Sequence, residues 1–271
     1  FKELGVVRVS TNGHSQQIKT QMASVLTASN FKIDAINFGK HKPNTNGGYN
    51  IDLTLGNGTE EILIQTPKMK TPFGLSSDKT NPFKKSLDMS FQGSESSESM
   101  QAFRKMIEAV DRLAVDYAQK NSKTFFKKEL SADIIREYYN SGIKISSKEQ
   151  YADTFKTRVL FLKPNPEKGY ADGKYITTFW DPKGAEQNSV YLDKWDHVKC
   201  LIKPQMLWVA NKGFGIQWVC TQVCVFKQQK ATGFAFKKTV DSDDEAEETI
   251  VSEEEEVEVG EEEEEEVEVD A

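Results

Sequence analysis

With 271 residues, 37% apolar and 28% charged, the chain has material for one large domain or two small ones, and no run approaches the ~18 apolar residues of a membrane-spanning helix. Three cysteines, an odd number in a long chain, argue against a disulfide framework. The net charge of −7, from 35 Lys+Arg and 42 Asp+Glu, conceals a division: residues 241–271 hold 19 of the 42 acids and no base, which leaves 23 acids against all 35 bases in residues 1–240, near +12. A block of like charge reads as a disordered interaction tail, and a basic body attracts nucleic acid. Two units are therefore expected, a binding domain over 1–240 and a disordered acidic tail over 241–271. The composition reads as soluble and intracellular, with no charged-then-apolar leader after Phe1 and no membrane partner expected.

In chain order, Val6–Val9 reads as a short strand and Ile18–Leu26 as a helical turn. Phe31–Phe38 reads as a strand. Tyr49, Ile51, Leu53 and Leu55 alternate with polar residues, Asn57-Gly58 signals a hairpin, and Ile62–Ile64 returns. Thr66 to Lys85 is rich in Pro, Lys and Ser and reads as a long loop, followed by a strand over Ser86–Phe91. The helical spacing of Phe103, Ile107, Val110, Ala114 and Tyr117 predicts a long helix over Ser99–Lys120, capped by Ser97 or Ser99, with Glu108 pairing Arg112 on its surface. A shorter helix is predicted over Ser131–Tyr139. Strands return over Phe155–Leu162, Tyr175–Trp180, His197–Ala210 and Phe214–Phe226, the last two joined by the turn Asn211-Lys212-Gly213. Strands, a helix, then strands suit a mainly β fold, an OB-like barrel with an inserted long α-helix, and do not suit alternating βα units.

Chemistry other than binding finds little support. Gly213-Phe-Gly215 lacks the third glycine and following helix of a phosphate loop. Cys220 and Cys224 lie roughly 13 Å apart along a strand at ~3.3 Å per residue, too far to share a metal without a bulge. Cys200 and His197 on the neighbouring strand leave a zinc site as a minor alternative, and nothing in the spacing of Asp34, Asp52 and Asp88 demands a metal-nuclease cluster. No cofactor, metal or catalytic group is expected, and the three cysteines read as reduced, at least two of them in the core.

Candidate binding residues are more numerous. Lys68, Lys70, Lys84 and Lys85 crowd the Thr66–Lys85 segment, where Phe73 and Phe83 each follow a proline. Cations track phosphates, and flat rings stack on bases at ~1–3 kcal/mol each. Lys156 and Arg158 lie on the Phe155–Leu162 strand, with Lys163 at its exit. Lys203 precedes Trp208, and Lys212 sits in the last hairpin turn. Trp180 ends a strand beside a loop and is the better stacking candidate. Trp218 shares a predicted face with Ile216, Cys220 and Cys224 and reads as core.

Two stretches carry a resemblance to a known family. They are Gln65-Thr-Pro-Lys-Met-Lys-Thr-Pro-Phe-Gly-Leu75, continued by Ser86-Leu-Asp-Met-Ser-Phe91, and Trp208-Val-Ala-Asn-Lys-Gly-Phe-Gly-Ile-Gln-Trp218. With the long central helix and polyacidic end, the chain resembles the acidic-tailed single-stranded DNA-binding proteins of podovirus-type phages, and more closely their counterparts in nucleocytoplasmic large DNA viruses of algae and protists. The resemblance implies an OB-fold that coats single-stranded DNA in replication, recombination or repair, in the host nucleus or at a cytoplasmic viral replication site. It also implies a tail that shields the groove through residues such as Asp241, Asp243, Asp244, Glu253, Glu254, Glu261, Glu266 and Asp270. That tail would dock a replicative polymerase or helicase, and tail exchange would give a homodimer. Phage members end in an aromatic residue, whereas this chain ends Val269-Asp270-Ala271, with valines alternating among its acids. The leading expectation is a non-enzymatic single-stranded DNA binder without strong sequence preference. The alternative is an acidic-tailed chaperone for histones or other basic proteins, which a +12 body would repel. A third reading is an RNA binder on the same fold.

Overall fold

Two 14-residue strands and the turn between them organise the domain in the computed structural model, which describes residues 24–228 apart from Asn46, Asn57, Thr59 and Lys212. The expected strand at Val6–Val9 and the acidic tail lie outside those residues; Leu26, read as part of a helical turn, belongs to a strand. In chain order the strands are β1 (Val25–Thr27), β2 (Ile36–Phe38), β3 (Lys42–Pro43), β4 (Tyr49–Leu55), β5 (Leu63–Gln65), β6 (Met69–Lys70), β7 (Leu75–Ser77) and β8 (Lys85–Ser90). Three helices follow: α1 (Glu98–Lys120), α2 (Ser122–Phe126) and α3 (Ala132–Tyr138). Then come β9 (Ile143–Lys144), β10 (Thr154–Val159), β11 (Phe161–Leu162), β12 (Lys174–Tyr175), β13 (Thr178–Trp180), β14 (Glu186–Gln187), β15 (His197–Ala210) and β16 (Gly213–Phe226). The fold is mainly β with one long helix, as the sequence predicts.

The pairings close on themselves. β15 pairs β16, β16 pairs β10, β10 pairs β8, β8 meets β6 at Lys70↔Ser90, and β6 returns to β15. Taken in chain order, these five strands run first–second–third–fifth–fourth around the ring. The one parallel contact is β10 with β16; the order is that of an OB barrel. The second edge of β15 is served in turn by β4, β5 and β6, each too short to span it alone.

Several boundaries move for physical reasons. The Thr66–Lys85 segment is not a plain loop: it contains β6 and β7, and β6 is what closes the barrel. Two residues flanked by prolines and lysines offer no alternation to read, yet Met69 is fully buried. Phe31–Phe38 begins as a 3₁₀ turn over Ile33–Ala35 before β2. The Asn57-Gly58 hairpin closes through one bridge, Leu55↔Glu60, after which the chain departs to pair β5 with β1 and β15. Phe155–Leu162 and Tyr175–Trp180 both break, because the chain leaves the barrel at Leu160 as a two-stranded ribbon of β11 and β12. Thr177 ties off that ribbon. Its hydroxyl accepts from the Leu160 N–H at 2.9 Å and donates to the Cys220 carbonyl at 2.6 Å.

Helix α1 stops one end of the barrel. Ser97 caps it, accepting from the Met100 N–H at 3.4 Å, and Phe103, Ile107, Val110, Ala114 and Ala118 are buried along one face. Phe103 stands edge-on to Phe155 (5.3 Å), which in turn meets Trp218 (5.4 Å). Glu108 pairs with Arg104, not Arg112, because Arg104 is also held by Asp153 at 2.8 Å. Asp111 is half-buried and accepts hydroxyls from Tyr139 (2.5 Å) and Ser141 (2.6 Å), fixing α3 and β9 to α1; desolvation there lifts its carboxyl above the usual range.

Candidate nucleic-acid interface

Register shifts decide which side chains share the barrel's outer wall. In β15 the shift between Pro204 and Met206 changes the phase, as expected of an extra residue beside a proline with no N–H to pair. Before it the odd positions His197, Lys199, Leu201 and Lys203 face out; after it Met206, Trp208 and Ala210 do. A second shift, between Leu201 and Ile202, does the same to β16. Ile216, Trp218 and Cys220 point into the core as predicted, but Cys224 does not share their face. It emerges on the outer wall with Gln222 and Phe226.

Directly paired residues then form rows across that wall. One row reads Phe226–His197–Lys70–Ser90–Thr154–Lys144, crossing β16, β15, β6, β8, β10 and β9. The next along β15 reads Lys199–Cys224–Trp180. Lys68 reaches over the Phe226 ring, its Nζ 4.4 Å from the centroid. Lys70 reaches over Trp195 at 5.0 Å. The His197 imidazole sits among these cations, and burial first, then Lys68 and Lys70, hold its pKa below the ordinary value.

Trp195 is the residue sequence reasoning misses. It lies in no regular element and in no hydrophobic period, so nothing singles it out. It is 49% exposed and has φ of 71°, a left-handed conformation that a bulky residue rarely adopts. Its backbone is held from both sides: its N–H donates to the Thr71 carbonyl at 2.6 Å, and its carbonyl accepts from Gln228 Nε2 at 2.8 Å. The next residue, Asp196, is buried and accepts from Lys227 Nζ and the Gln228 N–H. Phe73 stands nearby, 54% exposed. Gly74 follows it, packed so closely on the Asp193–Lys194 backbone that an added Cβ would come within 3.3 Å of the Lys194 nitrogen.

The structure thus brings Lys68, Lys70 and Phe73 together with Trp195, His197 and Phe226, and sets Trp180 and Lys199 one row away. The other predicted residues lie elsewhere. Lys85 and Lys84 sit at the far end of β8, with Lys85 donating to Ser77 Oγ at 2.9 Å. Lys156 and Arg158 are exposed on the outer face of β10, opposite Asp88 and Ser86. Asp88 is buried, which raises its carboxyl despite Lys156 and Lys144. Lys203 is engaged by Glu61. Trp208, half-buried at the opposite end of β15, packs over Gly215, whose absent side chain leaves the indole room. Lys212 and the tail residues Asp241, Asp243, Asp244, Glu253, Glu254, Glu261, Glu266 and Asp270 lie outside the described residues.

No protein-family model matches the chain, and no curated protein is similar to it. Among solved structures it is similar to gp2.5, a single-stranded DNA-binding protein encoded by bacteriophage T7. The identity is 13% and the TM-score 0.41, over 65% of this chain and 98% of that one. It is also similar to the single-stranded DNA-binding protein of bacteriophage Enc34, free (13% identity, TM-score 0.37, 76% and 98% covered) and in complex with single-stranded DNA (14%, 0.37, 73% and 99%). Scores this low leave the reading of function to the geometry of the site.

Proposed function

We propose that this protein binds single-stranded DNA on the outer wall of its barrel without strong sequence preference, coating it in viral replication, recombination or repair. The observation that carries the reading is the assembly of Lys68, Lys70 and His197 with the exposed ring of Trp195 on one surface, beside the 71–74 segment that carries the exposed Phe73. Cations there neutralise phosphates and release their counterions, while a ring presented on a fixed backbone takes any base by its face. A duplex hides those faces, so the surface favours single strands. The tie to nucleocytoplasmic viruses rests on the two sequence stretches described above.

The acidic segment 241–271 completes the proposal. Tethered to the same chain, it competes with DNA at an effective concentration that reaches the millimolar range for short flexible linkers. It also offers a docking site for polymerase or helicase. The test is fluorescence anisotropy with a labelled dT oligonucleotide at about 50 and 200 mM salt. The full chain is compared with one stopped after Lys238, with duplex DNA and RNA as competitors. Salt-sensitive binding that prefers single-stranded DNA and tightens on truncation is expected. No binding by the truncated domain would overturn the reading and bring the basic-protein chaperone forward.

A further inference from the structure

Trp195 is gripped by two residues from the far end of the last strand. Lys227 and Gln228 follow β16 directly, and Gln228 stands 33 positions beyond the residue it holds. Gln228 donates from Nε2 to the Trp195 carbonyl at 2.8 Å and from its N–H to Asp196 Oδ1 at 3.3 Å. Lys227 Nζ meets Asp193 Oδ2 at 3.1 Å and Asp196 Oδ2 at 3.0 Å, and lies 4.7 Å from the centre of the Tyr191 ring. Asp196 is buried, and its carboxylate also accepts the Asp193 N–H at 2.9 Å. On the other side the Thr71 N–H donates to the Asp196 carbonyl at 2.8 Å, and the Thr71 carbonyl accepts from Trp195. The 193–196 loop is thus held between β6's exit and the end of β16. A bulky residue released from such a grip returns to negative φ, which turns its side chain in a new direction.

We propose that Lys227 and Gln228 are positioning residues for Trp195, a clasp that keeps the indole turned outward to meet a base. Neither side chain has to touch the strand. Lys227 neutralises the buried Asp196 carboxylate and so holds the loop's base, while Gln228 fixes the carbonyl of the tryptophan itself. Residue 229, where the chain continues toward its acidic segment, is joined directly to the clasp. Opening the clasp removes a stacking ring and leaves every phosphate contact in place. The start of the acidic segment therefore governs binding by a route separate from its charge. Coupling of this kind is reciprocal: a base stacked on Trp195 holds the clasp closed.

This inference rests on the function proposed above, and the test separates the two. A double-mutant cycle combines Gln228→Ala with Trp195→Ala in the full chain, and anisotropy gives the affinity for a dT oligonucleotide at about 50 and 200 mM salt. Gln228 is exposed, and circular dichroism confirms the fold of each variant. Gln228→Ala is expected to weaken binding about fivefold with the salt slope unchanged, and to have no further effect once Trp195 is Ala. An equal loss in both backgrounds, or no loss in either, would overturn the clasp while leaving the function standing. Amide exchange reads the clasp without DNA. The Trp195 N–H is expected to exchange faster in Gln228→Ala than in the wild type, and an unchanged rate would also overturn the clasp. Failure of the wild type to bind at either salt would overturn both.

Discussion

Trp195 pairs a conformational cost with an exposed ring. A bulky residue at positive φ carries strain on the order of 1–3 kcal/mol, offset by the backbone bonds to Thr71 and Gln228. Trp195→Gly removes both strain and ring. It is expected to leave the melting temperature unchanged or raised while weakening single-strand binding by roughly five- to hundredfold, the value of one stack. A fall in melting temperature would show the indole to be structural. His197 gives a pH-dependent counterpart. Burial, Lys68 and Lys70 keep it neutral in the free protein, and a bound phosphate favours its charged form. The complex then holds more protons than the free protein, so affinity should rise as pH falls from the pKa of His197 in the complex to its lowered pKa in the free protein, and be flat above that window. His197→Gln should abolish the dependence. Stability runs the other way: the unfolded chain takes up the proton first, so the folded state loses stability as pH falls below 6.5. Neither residue was legible in the same way. The lysines and Phe73 stood out by composition, whereas Trp195 declares itself only through a dihedral angle and long-range hydrogen bonds.

At the scale of elements, α1 was readable because its apolar spacing from Phe103 to Tyr117 runs over about four turns at ~3.6 residues each and its cap is local. The long hairpin was readable for the same reason. What escaped was everything set by pairing between distant segments: the phase changes in β15 and β16, the departure of the ribbon, and the two residues of β6. A one-residue shift moves every later side chain to the other face, and no local pattern announces it. Two predictions belong here. Phe103→Ala, at the plug between α1 and the barrel, should destabilise by about 3–5 kcal/mol in denaturant titration. Thr177→Val leaves the Leu160 N–H and Cys220 carbonyl short of a partner, at about 1–3 kcal/mol for each buried group.

For the whole molecule, electrostatics dominates. The chain's −7 says little about the surface a strand meets, because 19 of the 42 acids sit in residues 241–271 and all 35 bases lie in the rest of the chain. Changing Lys68 and Lys70 together to Ala should reduce the slope of log affinity against log salt by about 1.4, at ~0.7 per phosphate contact on single strands. An unaltered slope would place the strand elsewhere. The sequence made this charge division plain from the start. It left the location of the interface open, because the cations that matter are gathered by barrel closure and not by proximity along the chain.

That closure has a cost. The ring is completed by β6, two residues long, joined to β8 by a single residue pair. Local opening of a small barrel begins at its shortest seam, where the fewest amides must part. Lys70 is at once half of that seam and a contact for the ligand, so a bound strand bridges it. Amide exchange at Met69, Lys70 and Thr71 should therefore be among the fastest of the barrel's ring strands when the protein is free, and slow most on saturation with single strands, a local form of ligand-linked stabilisation. The protein would become a fully locked cylinder only while it is carrying its cargo.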